Sequence, residues 1–252
     1  MTEQAALRAV LDQPDDDAPR LAYAALMDRQ DPPRGAFIRV QIAKAAASGT
    51  ARVLKGIDED LLLIPNQARW AAPVTRLADD WVFHRGFIEA ATMTASAFLA
   101  HAPALYAVAP VRHLTLTDAK PKVRELFASP HLRRIRSLEL DQNQLDDEDI
   151  ARLAASPMLG DLRWLSLAWN GITMAGFEAL AGSTMLPRLR YGNFVGNEVD
   201  PSEQIIEEQG YAVDTWMPPE GEWLEQRYGP LAWLHHSVAD ANDDTADRFT
   251  TA

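Results

Sequence analysis

The feature that most constrains this chain is a period of 27 residues. Leu138, Leu165 and Gly192 stand 27 apart, as do Leu140, Leu167 and Phe194, then Asn143, Asn170 and Asn197, then Leu145, Ile172 and Val199. The same step joins Leu126, Leu153 and Leu180, and also Leu105, Leu132, Leu159 and Leu186. Such a period means one supersecondary unit repeated, each copy burying its apolar face against its neighbours. Ala128-Ser129-Pro130-His131-Leu132 and Ala155-Ser156-Pro157-Met158-Leu159 mark a helix-ending turn in two consecutive units, and Gly182-Ser183-Thr184-Met185-Leu186 follows more loosely.

Within a unit, Ile135 to Leu145 and Leu162 to Ile172 both follow the pattern L-x-x-L-x-L-x-x-N-x-L. The leucines suit a short strand pointing into a core. The asparagine suits a turn whose backbone groups would otherwise be buried unpaired. Asp146 and Thr173 stand as N-caps before helical stretches ending near Leu153 and Leu180. The pattern resembles the leucine-rich repeat family, and a strand plus a helix at this length is similar to its ribonuclease-inhibitor type. The resemblance implies an α/β fold, a short curved solenoid with a parallel β-sheet inside and helices outside, with an N-terminal helical module and a C-terminal cap. Upstream, Val111 to Ala119 keeps the strand leucines but carries Ala119 in the asparagine column after a shorter loop, and Ile88 to Met93 reads as a degenerate first repeat. The count is about five repeats, the last three regular.

Residues 5 to 44 carry apolar positions at helical spacing: Leu7, Val10 and Leu11, then Leu21 to Leu26, then Phe37, Ile38 and Ile42. Turn formers interrupt them at Pro14 to Pro19 and at Asp31 to Gly35. Leu7 to Asp12, Pro14 to Ala24 and Asp31 to Gln41 together resemble the bacterial repeat-companion domain, a resemblance that implies association with leucine-rich repeats but does not imply an activity. Two departures stand out: Ala25-Leu26 replaces the family's aspartate-tryptophan pair, and Pro33 is an extra residue in its D-P-R-G turn. The boundaries are then 1–50 for the helical companion module, 51–84 for an adaptor covering the start of the solenoid, 85–200 for the repeats, 201–236 for the cap and 237–252 for a disordered acidic tail. Ile57, Leu61 and Ile64 form one helical patch in the adaptor. Gly192 leaves a gap in a leucine column that Tyr211, Val213, Trp216, Trp223, Leu224, Tyr228, Leu231 or Trp233 is expected to fill.

Composition narrows the function classes. There are no cysteines, so disulfides and thiolate metal sites are excluded, in keeping with a cytoplasmic location. The longest apolar runs, such as Leu61 to Ile64, fall far short of the roughly 20 residues that span a bilayer. A formal net charge of −12 argues against nucleic acid and steers toward a basic partner. No phosphate-cradling glycine loop, nucleophile elbow or zinc-binding H-E-x-x-H string is present, so no cofactor, metal or catalytic residue is expected. His235-His236 lacks ligand spacing, and Asp146 to Asp149 reads as an acidic helix start.

What remains is the outward side of the strands. His113, Arg136, Glu139, Asp141, Arg163, Trp164, Trp169, Arg190, Tyr191 and Asn193 occupy these positions. Trp, Tyr and Arg are the residue types that dominate interface hot spots, and a solvated sheet surface does not need them. The expectation is a non-catalytic protein–protein interaction module that holds a partner on the concave face, as a scaffold or a neutralising partner. The alternative is an enzyme or small-ligand-binding regulator with a pocket between the N-terminal helices and the first repeat. Oligomeric state is not fixed by the sequence.

Overall fold

The computed structural model describes residues 2–47, 49–208 and 211–235. His236 and the proposed tail at 237–252 lie outside the described residues. The class is α/β with mostly parallel strands. Two compact units divide the chain, one of Met1–Thr92 with His101–Val111, the other of Met93–Ala100 with Arg112–Ala252.

The first unit begins with α1 (Glu3–Asp12), α2 (Asp17–Gln30) and α3 (Pro32–Ala45). Thr2 caps α1 through its side chain and Asp16 caps α2, while prolines open α3, where a missing N–H costs nothing. Ala6, Val10, Tyr23, Ala24, Met27 and Ile38 form one core with Phe87. Next come α4 (Gly49–Leu63) and the short α5 (Gln67–Ala71). Helix α4 packs on α3 through Glu59, buried and bonded to Gln41 at 2.6 Å and to Lys44 at 2.5 Å. Its apolar side is therefore turned outward: Ile57, Leu61 and Ile64 are 55%, 71% and 74% exposed. The adaptor patch lines an open groove of about 300 Å³ with Asp60 and Pro65.

Trp81 and Phe83, in the stretch assigned to the adaptor, lie on a strand. β1 (Asp80–His84) pairs antiparallel with β2 (Phe87–Thr94), joined by Arg85 and Gly86, both with positive φ. That is the backbone signature of a tight hairpin turn whose twist matches the strands. Gly86 is required there twice over, because a Cβ would also fall 2.8 Å from the Ile38 Cα. α6 (Ala95–Val108) follows and is divided between the two units.

In the second unit the repeat becomes a ladder. β3 (His113–Thr117), β4 (Ser137–Glu139), β5 (Trp164–Ser166) and β6 (Tyr191–Asn193) pair in parallel, with His113 opposite Ser137, Ser137 opposite Trp164 and Trp164 opposite Tyr191. Leu114, Leu138 and Leu165 are fully buried beneath them. Helices α7 (Val123–Ala128), α8 (Asp147–Ala154) and α9 (Met174–Ala181) follow β3, β4 and β5, and α8 packs on both α7 and α9. Asp146 and Asp149 form a reciprocal capping box at α8, and Thr173 caps α9.

The turn after each strand is held by the asparagine column. Asn143 accepts the Ala119 N–H at 2.7 Å and donates to the Leu116 carbonyl at 2.8 Å. Asn170 accepts the N–H groups of Asn143 and Leu145 and donates to the Leu140 and Leu167 carbonyls. Asn197 repeats this on Asn170, Ile172, Leu167 and Phe194. Ala119, in the asparagine column but without the side chain, is served by its successor. One residue earlier, Asp118, Gln142, Trp169 and Gly196 all adopt left-handed backbone.

At the last strand the missing leucine of Gly192 is replaced by the Phe194 ring, which a Cβ at 192 would meet at 2.2 Å. Phe194 in turn packs edge-on against Phe177 and Trp233. Of the expected gap-fillers, Leu224, Leu231 and Trp233 are buried, whereas Tyr211, Val213, Trp216 and Trp223 are exposed. The reason is local: Tyr211, Val213 and Trp216 belong to β8 (Tyr211–Trp216), which pairs only with β7 (Gln204–Glu208) in a separate two-stranded sheet. α10 (Pro219–Tyr228) packs on α9, with Tyr228 against Gly182.

Candidate functional site

The strand face of the second unit carries three ranks of side chains fixed by register. In the first rank stand His113, Ser137, Trp164 and Tyr191. His113 and Ser137 are buried, which removes His113 from the accessible surface, while Trp164 and Tyr191 are half-buried and keep ring area open. Strand pairing sets their Cα atoms about 4.8 Å apart, so two large aromatics share one edge of the face.

The second rank, Thr115, Glu139, Ser166 and Asn193, is joined by hydrogen bonds in two pairs. The Thr115 hydroxyl donates to Glu139 at 3.3 Å, and the Asn193 amide donates to Ser166 at 3.0 Å. Ser166 then donates to Asp141 at 2.5 Å, and the Ala168 N–H reaches the same carboxylate oxygen at 2.9 Å. Burial pushes the Asp141 carboxyl up from its ordinary value, opposed by those two hydrogen bonds. Asp141 and Asn193 thus bind the sheet to itself as well as facing outward.

The third rank precedes each strand by one residue: Arg112, Arg136, Arg163 and Arg190. Their backbones extend the ladder, with the Arg136 N–H on the Arg112 carbonyl at 2.8 Å, Arg163 on Arg136 at 2.8 Å and Arg190 on Arg163 at 2.9 Å. Arg190 is exposed and the other three are half-buried. The column thus sets four arginines along one edge of the face, at the same position of four successive strands. Arg112 was missed as a site residue although its neighbour His113 was placed on this face. Counting 24 residues back from Arg136, the spacing from Asn143 to Ala119, would have found it.

Trp169 stands apart from these ranks. It is 60% exposed, its backbone is left-handed, and its ring lies over Gly196, where a Cβ would approach to 2.5 Å. It packs over the next turn and still offers a face to solvent.

A second cluster, in the first unit, had no counterpart in the sequence reading. Arg20 and Glu89 are both buried and pair at 2.6 Å, and Arg20 also donates to the carbonyls of Pro14 and Arg85. Arg85 joins Glu89 to Asp17, and His84 Nδ1 lies 3.3 Å from Glu89. Burial alone would raise the Glu89 carboxyl, but the His84 hydrogen bond and the charges of Arg20 and Arg85 outweigh it and hold the group at about 2. Burial lowers Arg20 to about 10, so the pair is charged throughout the neutral range. The cluster ties the hairpin turn to the α1–α2 loop, which is a structural task. The only sequence signal was one glutamate within the apolar run Phe87 to Ala91. Nearby, Arg34 is buried among the rings of Phe37, Trp70, Phe83 and Phe87, each 4.9 to 5.5 Å away, and burial lowers its pKa to about 10.

Among the described residues no group of three His, Asp or Glu side chains is disposed to hold a metal ion, and no helix is long and apolar enough to cross a membrane. His235 lies 2.9 Å from Glu225 and 3.6 Å from Glu203, beside the capping helix. In comparisons with known proteins, no family model, no curated protein and no solved structure matches this chain.

Proposed function

We propose that this chain is a leucine-rich-repeat interaction module, a short curved solenoid behind a repeat-companion helical module, that binds another protein on its strand face and catalyses nothing itself. The observation that carries this reading is the placement of Trp164 and Tyr191 as strand partners, each preceded by an arginine that continues the ladder. Aromatic and guanidinium side chains on adjacent strands bury much area at small entropic cost and keep a polar handle, which is the make-up of an interface centre. The face is also held rigid by the Asp141–Ser166–Asn193 hydrogen bonds, so little ordering remains to oppose association. Scaffolding in the cytoplasm is the role that fits a chain with no cysteine.

The test is the double variant Trp164→Ala/Tyr191→Ala, compared with wild type for partner capture. Both side chains are half-buried, so the variant is expected to keep its melting transition. A folded variant that captures its partner undiminished would exclude this face as the binding site.

A further inference from the structure

We propose that the outward side of α4 is a second docking surface, and that its occupant is an amphipathic helix of another protein with lysine or arginine along both borders of its apolar stripe. This surface belongs to the first unit alone and does not depend on the strand face. Leu54, Ile57, Leu61 and Ile64 repeat at the three-four-three spacing of a two-stranded coiled-coil seam, and all four are exposed, as is Val53 beside them. The Ile64 N–H bonds the Asp60 carbonyl at 3.0 Å, so the stripe keeps its helical register past Leu63. From Ile57 to Pro65 it lines the open groove of about 300 Å³.

Charge decides the occupant. At about 100° per residue, Asp58 and Asp60 fall about 80° to either side of the stripe's centre, which lies opposite the buried Glu59. Both aspartates are exposed. The two cations of the helix, Arg52 and Lys55, fall about 140° or more from that centre, toward α3, and are half-buried. An apolar seam bordered by carboxylates is the complement of a helix bordered by lysines. A second copy of the chain can align the stripe antiparallel, Leu54 on Ile64 and Ile57 on Leu61. Its twofold axis would then set Asp58 beside Asp58 and Asp60 beside Asp60, between chains of net charge −12 each. Residues 236–252 of the chain itself bring four aspartates and one arginine. A lipid surface favours basic residues at those borders, not acidic ones.

Fluorescence anisotropy on the full chain tests the proposal with two labelled helical peptides of about 18 residues. Both carry leucine along the seam, one with lysine on its borders and the other with glutamate. The lysine peptide should bind saturably, one per chain, and Leu61→Ser/Ile64→Ser should weaken it at least about tenfold. Both side chains are exposed, so this variant should keep the wild-type melting transition. Asp58→Lys/Asp60→Lys should reverse the preference between the two peptides, which general attraction to an acidic chain would not do. Trp164→Ala/Tyr191→Ala should bind the lysine peptide as wild type does, so the strand-face reading and this one can fail separately. Indifference to Leu61 and Ile64, no reversal by the charge-swapped variant, or loss with the strand-face variant overturns the proposal. So does a different occupant held through the same residues: dimerisation that Leu61→Ser/Ile64→Ser abolishes, a photo-crosslink from position 61 to residues 236–252 of the same chain, or binding to vesicles of phosphatidylcholine and phosphatidylserine.

Discussion

The side-chain oxygen of Asn170 accepts the backbone N–H of Asn143, 27 residues earlier, at 3.0 Å, and takes the Leu145 N–H at 2.9 Å as well. Its amide nitrogen serves the carbonyls of Leu140 and Leu167. One side chain thus satisfies backbone groups of two consecutive units. Asn170→Ala strands several of them at once and should cost about 3 kcal/mol, against about 1 kcal/mol for an ordinary hydrogen bond. Urea unfolding checks this, and a loss below about 1 kcal/mol would mean that water replaces the ladder.

The buried Arg20–Glu89 pair predicts a pH dependence with a definite sign. The Glu89 carboxyl sits at about 2 in the folded chain and near 4.3 when unfolded, so its stabilisation is complete above about pH 5 and is lost as pH falls toward 2. The full effect is on the order of 3 kcal/mol. Glu89→Gln should flatten that part of the stability profile. It should also lower stability at pH 7 by about 3 to 5 kcal/mol, since Arg20 is left buried without its counter-charge. Denaturation midpoints between pH 2 and pH 7 measure both quantities.

Gly192 stands in a leucine column, yet leucine does not fit there, because Phe194 fills the space. Gly192→Leu should destabilise by at least about 2 kcal/mol through overpacking. Gly192→Leu combined with Phe194→Leu restores the pattern of the preceding unit and should recover part of that loss. A double variant no better than the single one, in thermal melts, would show that the column is not interchangeable between units.

Gln142 and Trp169 precede ladder asparagines in left-handed backbone, where the corresponding residue of the next unit is Gly196. A non-glycine residue there costs roughly 1 to 2 kcal/mol, and glycine adds up to about 1 kcal/mol of unfolded-state entropy. Gln142→Gly is exposed and should therefore be neutral or stabilising by up to about 1 kcal/mol, a change read as a higher denaturation midpoint at unchanged slope. Loss of stability would contradict the strain argument.

The strands and their turns were legible because a buried leucine or asparagine has one solution in a parallel ladder, so Leu138, Leu165, Asn143 and Asn170 repeat at fixed distance. Trp164, Tyr191, Arg163 and Arg190 follow from the same register. Other features leave no such trace. β1 could not be seen because its partner β2 lies across a two-residue turn in which Arg85 gives no sign of positive φ. Arg20 and Glu89 stand far apart in sequence, and charge pairs have no periodicity. The β7–β8 hairpin has apolar residues on its open side, so Tyr211 and Trp216 mimic core positions. Helix α4 misled in the same way: its stripe has the spacing of a buried face, but Glu59 supplies the contact with α3.

The most direct measurement places a photo-crosslinking amino acid at one position at a time in the full chain and asks which positions trap the partner. Positions 164 and 191 should yield the same crosslinked protein, and position 223 on α10, whose side chain is also exposed, should not. Crosslinks from 223, or from 61 on α4, with none from 164 and 191 would put the interaction elsewhere on the molecule and contradict the binding role assigned to the strand face.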